Sequence, residues 1–262
     1  MEILVKKQRI KVSEEENKLS NISHYEKEAA GYENQKKFCI ENKKRVFGDL
    51  QKISKISNRG KVLDIASGTG FLADLAKDHF DEVYSLDSSK EMLESQKKKG
   101  IPSTLVVATS DNIPFKEEYF DACITSSFLH HLVNFKSTFK ETYRVLKKGG
   151  ILYVDYEPSR IYFRFTYAIV TSLFRKPRTE FTDEEKIAEY QQGVLGGVSI
   201  AEVKKELREA GFRKIKVFFV DFGFEAVAKR LFGKRGDSLI KLLNIPPFNI
   251  LLFSKVCFTA RK

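Results

Sequence analysis

Two aspartates bracket a short glycine-bearing turn, and the ligand chemistry they allow is the first functional signal in the chain. Asp64-Ile65-Ala66-Ser67-Gly68-Thr69-Gly70 joins an apolar run to an amphipathic stretch, and Asp87 ends the next apolar run. Glycines at a strand-to-helix turn let the backbone approach a ligand and leave helix N-terminal amides aimed at a negative group. A carboxylate about 20 residues further on accepts both hydroxyls of a ribose. The segment Gly68-x-Gly70-x-x-Ala73 also satisfies a relaxed dinucleotide fingerprint. Asp64 separates the two ligands. A pyrophosphate at this turn is repelled by an adjacent carboxylate, whereas a ligand bearing an ammonium, a carboxylate and a sulfonium is helped by one. The ligand's carboxylate then faces the helix N-terminus while Asp64 favours its cationic end.

A second group of reactive residues lies downstream. His130 and His131 follow the apolar run that ends near Ser126. A histidine there can serve as a general base when the attacking atom must lose a proton, or simply pack. Of the two, His131 is the catalytic candidate. Asp155, Tyr156 and Glu157 leave a later apolar run at the edge where such sheets bind substrates, and Asp155 is the second catalytic candidate. Capping of a loop is the alternative role for all three. Cys39, Cys123 and Cys257 are scattered and the four histidines show no ligand spacing, so no metal is expected and the thiols read as reduced and cytoplasmic.

These residues need a scaffold, and the grammar of the chain supplies one. Residues 1–24 read as a polar arm or short helix, and a helical stretch runs from about Tyr25 to Ile56, closed by Asn58-Arg59-Gly60. Short strands and helices then alternate. Val62–Ile65, Val83–Leu86, Leu105–Val107, Ala122–Thr125 and Ile151–Val154 are the strands. Helices start at Phe71, at a capping box formed by Ser88 and Glu91, and at Phe135, the last running to Leu146 and stopped by Gly149-Gly150. Ser199 and Glu202 form another box, with Gly211 ending that helix. Lys214–Val220 and a last stretch from about Asn249 to Ala260 complete the strands. The order implies an α/β, Rossmann-like, doubly wound sheet of seven strands, mostly parallel with a late antiparallel strand.

The landmarks from Val62 to Val154 resemble the class I methyltransferases of the ubiquinone/menaquinone-biosynthesis-like group. They run Val-Leu-Asp64-Ile-Ala-Ser-Gly68-Thr-Gly70, Leu-Asp87-Ser-Ser-Lys-Glu-Met92-Leu, Asp111-Asn-Ile-Pro-Phe115, Tyr119-Phe-Asp121, Ser126-Ser-Phe-Leu-His130-His131-Leu and Arg144-Val-Leu-Lys-Lys-Gly149-Gly150. The resemblance covers the central third of the chain. It implies S-adenosylmethionine as cofactor, with Asp64, Ala66, Ser67, Gly68, Thr69 and Gly70 around its methionine part. Asp87, with Ser88 beside it, would hold the ribose, Met92 would pack on adenine, and Ser126 would lie beside the methionyl group. The backbone around Ser110 and Asp111 would read the adenine edge. This chain departs from the family pattern twice. Ala66 stands where the first glycine of the turn is usual, and Thr109 where an acid is common, so Thr109 or the displaced Asp111 is expected at the adenine. The stretch holding Tyr25 and Tyr32 resembles the family's lid helix. The implied division is an arm with lid helices over 1–60 and a methyltransferase domain over 61–262, with cap-forming insertions at about 156–198 and 222–248.

Composition narrows the acceptor only by class. A net charge of +11 over 262 residues favours contact with phosphates or anionic surfaces. Residues 161–174 are aromatic among Arg160, Arg164, Arg175, Lys176 and Arg178, and Phe224, Val227, Ala228, Leu231 and Phe232 repeat at helical spacing beside Lys229, Arg230, Lys234 and Arg235. Such segments cover a hydrophobic pocket, lie on an anionic membrane, or merely pack on the sheet. The expectation is methyl transfer to an O, N or C nucleophile of a small or lipid-like acceptor, in a cytoplasmic protein that touches membranes at most peripherally. An RNA methyltransferase using the basic surface, or a non-catalytic S-adenosylmethionine-binding module, are the rival readings.

Overall fold

The computed structural model describes residues 13–28, 37–173, 195–223 and 235–262. Seven strands form one sheet: β1 (Lys61–Ile65), β2 (Glu82–Asp87), β3 (Thr104–Val107), β4 (Phe120–Ser126), β5 (Leu146–Pro158), β6 (Arg213–Phe222) and β7 (Phe253–Arg261). Their spatial order is β3-β2-β1-β4-β5-β7-β6. Strands β1 to β5 pair in parallel, whereas β7 runs antiparallel to both β5 and β6. The fold is the expected mostly parallel Rossmann-like sheet. Because the order reverses between β1 and β4, a crevice opens at their carboxyl ends, where ligands of such sheets bind.

Both faces of the sheet are covered, so its inner strands are apolar throughout instead of alternating. On one face Leu63, Ile65, Cys123, Leu152 and Val154 pack with Phe139 of α5 (Lys136–Val145) and its N-cap Phe135, and with Val203 and Leu207 of α7 (Ile200–Ala210). On the other, Val62, Ala122, Ile124 and Tyr153 meet Val46 and Leu50 of α2 (Lys37–Ile56) and Leu72 of α3 (Phe71–Ala76). Truncating a ring such as Phe139, 1% exposed, to alanine costs about 3–5 kcal/mol.

Several local expectations are corrected. The helix placed over Tyr25 to Ile56 is instead α1 (Glu14–Glu28) and α2, and Tyr25 belongs to α1. The start of α1 is fixed by a reciprocal box: the Glu16 amide donates to Ser13 Oγ at 3.2 Å, and the Ser13 amide donates to Glu16 Oε2 at 2.9 Å. In α4 (Lys90–Lys98) the N-cap is Ser89, not Ser88, and Ser89 Oγ accepts from the Met92 amide at 3.2 Å. Helix α5 ends at Val145, and Gly149-Gly150 lie inside β5, at the irregularity where its pairing with β4 shifts register. Residues 249–252 fall in α9 (Phe248–Leu252), and the last strand begins only at Phe253. The box at Ser199 stands as expected, its Oγ accepting from the Glu202 amide at 3.4 Å, and Gly211 adopts the left-handed C-cap.

The region after β5 begins as α6 (Arg160–Leu173), and α8 (Arg235–Leu243) precedes α9. The expected basic amphipathic segment Phe224–Phe232 and Tyr32, Arg175, Lys176 and Arg178 lie outside the described residues. Among the described residues, no helix is long and apolar enough to cross a membrane.

Candidate active site

The glycine turn is a strained loop held from both sides. Ala66, Gly68 and Gly70 all have positive φ, at 55°, 53° and 90°. Gly70 has no substitute there, because a Cβ would stand 2.6 Å from Gln96 Cγ and 2.8 Å from Ile101 Cδ1. Ala66 adopts the same left-handed backbone with its methyl group in place, at a cost of about 1–2 kcal/mol for an L-residue. Asp87 secures the loop: its Oδ2 accepts from the Gly68 amide at 2.8 Å and its Oδ1 from the Ser89 amide at 2.9 Å. Asp64, 1% exposed, accepts from the Ala73 amide at 3.1 Å and so ties β1 to α3.

Behind the loop sits fully buried Gln96, which sequence reasoning missed. Its Nε2 donates to Ser85 Oγ and Ser103 Oγ at 2.8 and 2.7 Å, and its Oε1 accepts from Ser67 Oγ at 3.3 Å. Lys99 Nζ donates to the Thr69 carbonyl at 2.7 Å. Helix α4 therefore positions the turn through buried Gln96 and through Lys99 at its C-cap.

Across the crevice, β4 ends in Ser126 and leads into a 3-10 turn, Leu129–His131. Buried Glu157 at the end of β5 organises it. Glu157 Oε1 accepts from the Phe128 and Leu129 amides at 2.8 Å each, and its Oε2 accepts from the His130 amide and lies 2.9 Å from His130 Nδ1. Burial pushes the Glu157 carboxyl upward, but the bond to His130, its charge and the two amides outweigh it and leave the group below its ordinary value. The His130 and His131 rings sit 4.0 Å apart between centroids.

Helix α1 lies over this crevice. Tyr25 Oη is 3.0 Å from His131 Nε2, and Asn21 Nδ2 donates to the His131 carbonyl at 3.2 Å. Lys18 Nζ reaches Asp111 Oδ2 at 3.0 Å, and Asn134 bonds Glu14. Asn17, Lys18 and Asn21 were not expected from sequence. The signal was present in the Ser13-x-x-Glu16 box, which announces a helix start and turns the supposed arm into a cover.

The cavity beneath α1 holds about 220 Å³ and gathers most of the expected residues. Asp64, Ala66, Ser67, Gly68, Asp87, Ser88, Met92, Thr109, Ser110, Asp111, Ser126 and His131 line it, together with Tyr25. Thr69 and Gly70 do not; they shape the turn from behind. Asp155 does not either. Its carboxylate, 1% exposed, is taken up by Arg45 at 2.9 Å, Tyr153 Oη at 3.0 Å and Cys257 Sγ at 3.2 Å, and touches the cavity only through Ser126 Oγ at 3.5 Å. The cavity wall contains two buried oxygens with no hydrogen-bond partner, Asp111 Oδ1 and Asn21 Oδ1.

Residues 63–154 match the family described as methyltransferase domain. Over these residues the chain is a class I S-adenosylmethionine-dependent methyltransferase domain. It is 29% identical over 192 residues to the demethylmenaquinone methyltransferase of Staphylococcus saprophyticus, covering 67% of this chain and 78% of that relative. The methyltransferase fold is shared with a SAM-dependent methyltransferase from Archaeoglobus fulgidus (TM-score 0.54, 18% identity, 86% of this chain and 99% of that one). It is also shared with phosphoethanolamine N-methyltransferase 2 of Haemonchus contortus in complex with S-adenosyl-L-methionine (TM-score 0.50, 20% identity, 78% of this chain and 48% of that one). S-adenosylmethionine is the cofactor of this methyltransferase family.

Proposed function

We propose that the cavity beneath α1 binds S-adenosylmethionine and that the chain methylates a small or lipid-like acceptor brought to His131. The observation that carries the reading is the convergence of Asp64, Asp87, Met92 and Asp111 on the wall of one cavity. Adenine offers an exocyclic amine to an acceptor such as the Asp111 carboxylate, Met92 offers a polarisable thioether to its ring, and Asp87 has oxygens for the ribose hydroxyls. Asp64, Ala66, Ser67, Gly68 and Ser88 are assigned to the remainder of the cofactor, Thr109 and Ser110 to the adenine edge, and Ser126 to the methionyl side. The cofactor supplies a methyl group on a sulfonium, ready for direct displacement. The protein's part is then largely alignment and exclusion of water, to which α1 contributes as a cover.

Phe71, Leu72, Phe128, Leu132 and Val133 make much of the remaining wall apolar, which supports an acceptor with an apolar body. The Staphylococcus relative is named for demethylmenaquinone, an acceptor of that kind. His131 removes a proton where the attacking atom carries one, with Tyr25 as its partner. Asp155 acts as a positioning residue behind Ser126.

Calorimetric titration with S-adenosylmethionine and its demethylated product tests the reading, alongside Asp87→Ala. Micromolar binding by the wild type and its loss in the variant are expected. A folded wild type that binds neither compound would overturn the assignment.

A further inference from the structure

A second groove, of about 370 Å³, runs between α2 and strands β5, β6 and β7, away from the methyl-transfer cavity. Its floor is apolar, made by Ile53, Ile56, Ile151 and Phe218, and Ile56 is 54% exposed. Its rim carries Lys52, Lys214, Lys216 and Arg261 against a single acid, Asp49. Lys52 and Asp49 pair with each other at 3.3 Å. Lys214, Lys216 and Arg261 have no ion-pair partner among the described residues. Lys214 moreover has φ 49° at the irregularity where β6 shifts register against β7 between Arg213 and Lys216. Bulges of this kind re-aim side chains, and a left-handed non-glycine residue persists only where its surroundings over-determine it.

The combination selects an occupant. An apolar trough wants an apolar chain, and three cations along one side with no ion-pair partner among the described residues want a negative head. We infer that the groove binds one anionic single-chain amphiphile, its chain along Ile53, Ile56 and Phe218 and its head on Lys214, Lys216 and Arg261. A neutral amphiphile leaves the cations uncompensated, a cationic one is repelled, and a free anion lacks the chain. The groove lies toward the amino ends of β5 and β6, whereas the methyl-transfer cavity lies at the carboxyl ends of β1, β2 and β4. The occupant is therefore distinct from the methyl acceptor, and the inference stands independently of the function proposed above.

The test is calorimetry on the full chain with dodecyl phosphate below its micellar concentration, in parallel with inorganic phosphate, dodecyl maltoside and dodecyltrimethylammonium. One saturable site for dodecyl phosphate is expected, with the other three at least ten-fold weaker. Lys216→Glu with Arg261→Glu, and separately Ile56→Glu, should each weaken it at least ten-fold while circular dichroism stays native. Lys216→Gln with Arg261→Gln replaces the charge reversal should that variant fail to fold. Absence of saturable binding by the folded wild type, equal affinity for the maltoside, or unchanged affinity in the charge variants overturns the inference. A concentration-dependent dimer in sedimentation that Ile56→Glu dissolves also overturns it, and assigns the groove to a second copy of the chain.

Discussion

Tyr25 Oη stands 3.0 Å from His131 Nε2, so the helix that covers the cavity is fastened to the histidine in its wall that is proposed above to take a proton. One hydrogen bond thus joins access to chemistry. Where Tyr25 donates, a proton taken up at His131 Nε2 breaks the bond as it stands, whereas a proton taken up at Nδ1 leaves it in place.

Tyr25→Phe removes that bond and leaves the ring. A net loss of about 0.5–1.5 kcal/mol is expected for such a bond, read as a roughly two- to ten-fold weaker affinity for S-adenosylmethionine in calorimetry. An unchanged affinity would mean that α1 is held by Lys18–Asp111 and Asn21 without help from Tyr25.

His131→Gln separates the fastening from proton removal. As a general base, His131 contributes about 10²–10⁴-fold to kcat, and its loss should leave cofactor affinity within the range set by Tyr25→Phe. A kcat that falls no further than that affinity does would restrict His131 to holding the cover.

Glu157→Gln tests the buried carboxylate beneath the histidines. The folded-state pKa of Glu157 lies below its ordinary value of 4.5, so its contribution to stability is present above that pH and is lost as pH falls through the folded value. Wild type should therefore lose stability on acidification below about pH 4.5, and the variant should lose less over the same interval. At neutral pH, removing one partner of this buried pair should cost about 3 kcal/mol, measured by urea denaturation.

Gly70→Ala places a methyl group on a left-handed backbone and against Gln96. A loss of at least about 1–2 kcal/mol is expected from the backbone alone. In a chain of this size that lowers Tm by several degrees in a thermal melt, roughly 2–4 °C per kcal/mol. Cofactor affinity should fall with it, because the same collision displaces Gln96 from Ser67.

Asp155→Asn distinguishes a structural carboxylate from a reacting one. With Arg45 left facing a neutral amide, Tm should drop, while kcat per folded molecule stays within about three-fold of wild type. A kcat loss of 10²-fold in folded protein would return Asp155 to the chemistry.

The sheet and the turn were legible because their signals are local. Asp64 to Gly70 and Asp87 sit at fixed offsets within one strand–turn–helix unit, and β1, β2 and β4 are short apolar runs between punctuating residues. What escaped was set by partners distant in sequence. Gln96 looks like one more polar residue of an amphipathic helix until Ser67, Ser85 and Ser103 surround it. Asp155 and Glu157 are two residues apart on β5 and would share a face of a regular strand, but Tyr156 between them has φ 61° and the pairing with β7 shifts register between Val154 and Glu157, so one meets Arg45 and the other His130. Ser89 displaced Ser88 as the cap because Asp87 Oδ1 already holds the Ser89 amide and sets the backbone there. The start of α1 was readable in Ser13-x-x-Glu16, but its place over the cavity depends on contacts to residues 111, 131 and 134.

The position of β7 has a consequence for biosynthesis. It is the last of the seven strands to leave the ribosome, yet it lies between β5 and β6. The half of the sheet that bears the glycine turn can assemble in the order in which it is translated, each new strand finding a neighbour already made. The other half waits with two bare strand edges until Phe253–Arg261 arrives to close both at once, a nascent stage at which those edges are open to aberrant pairing with another chain.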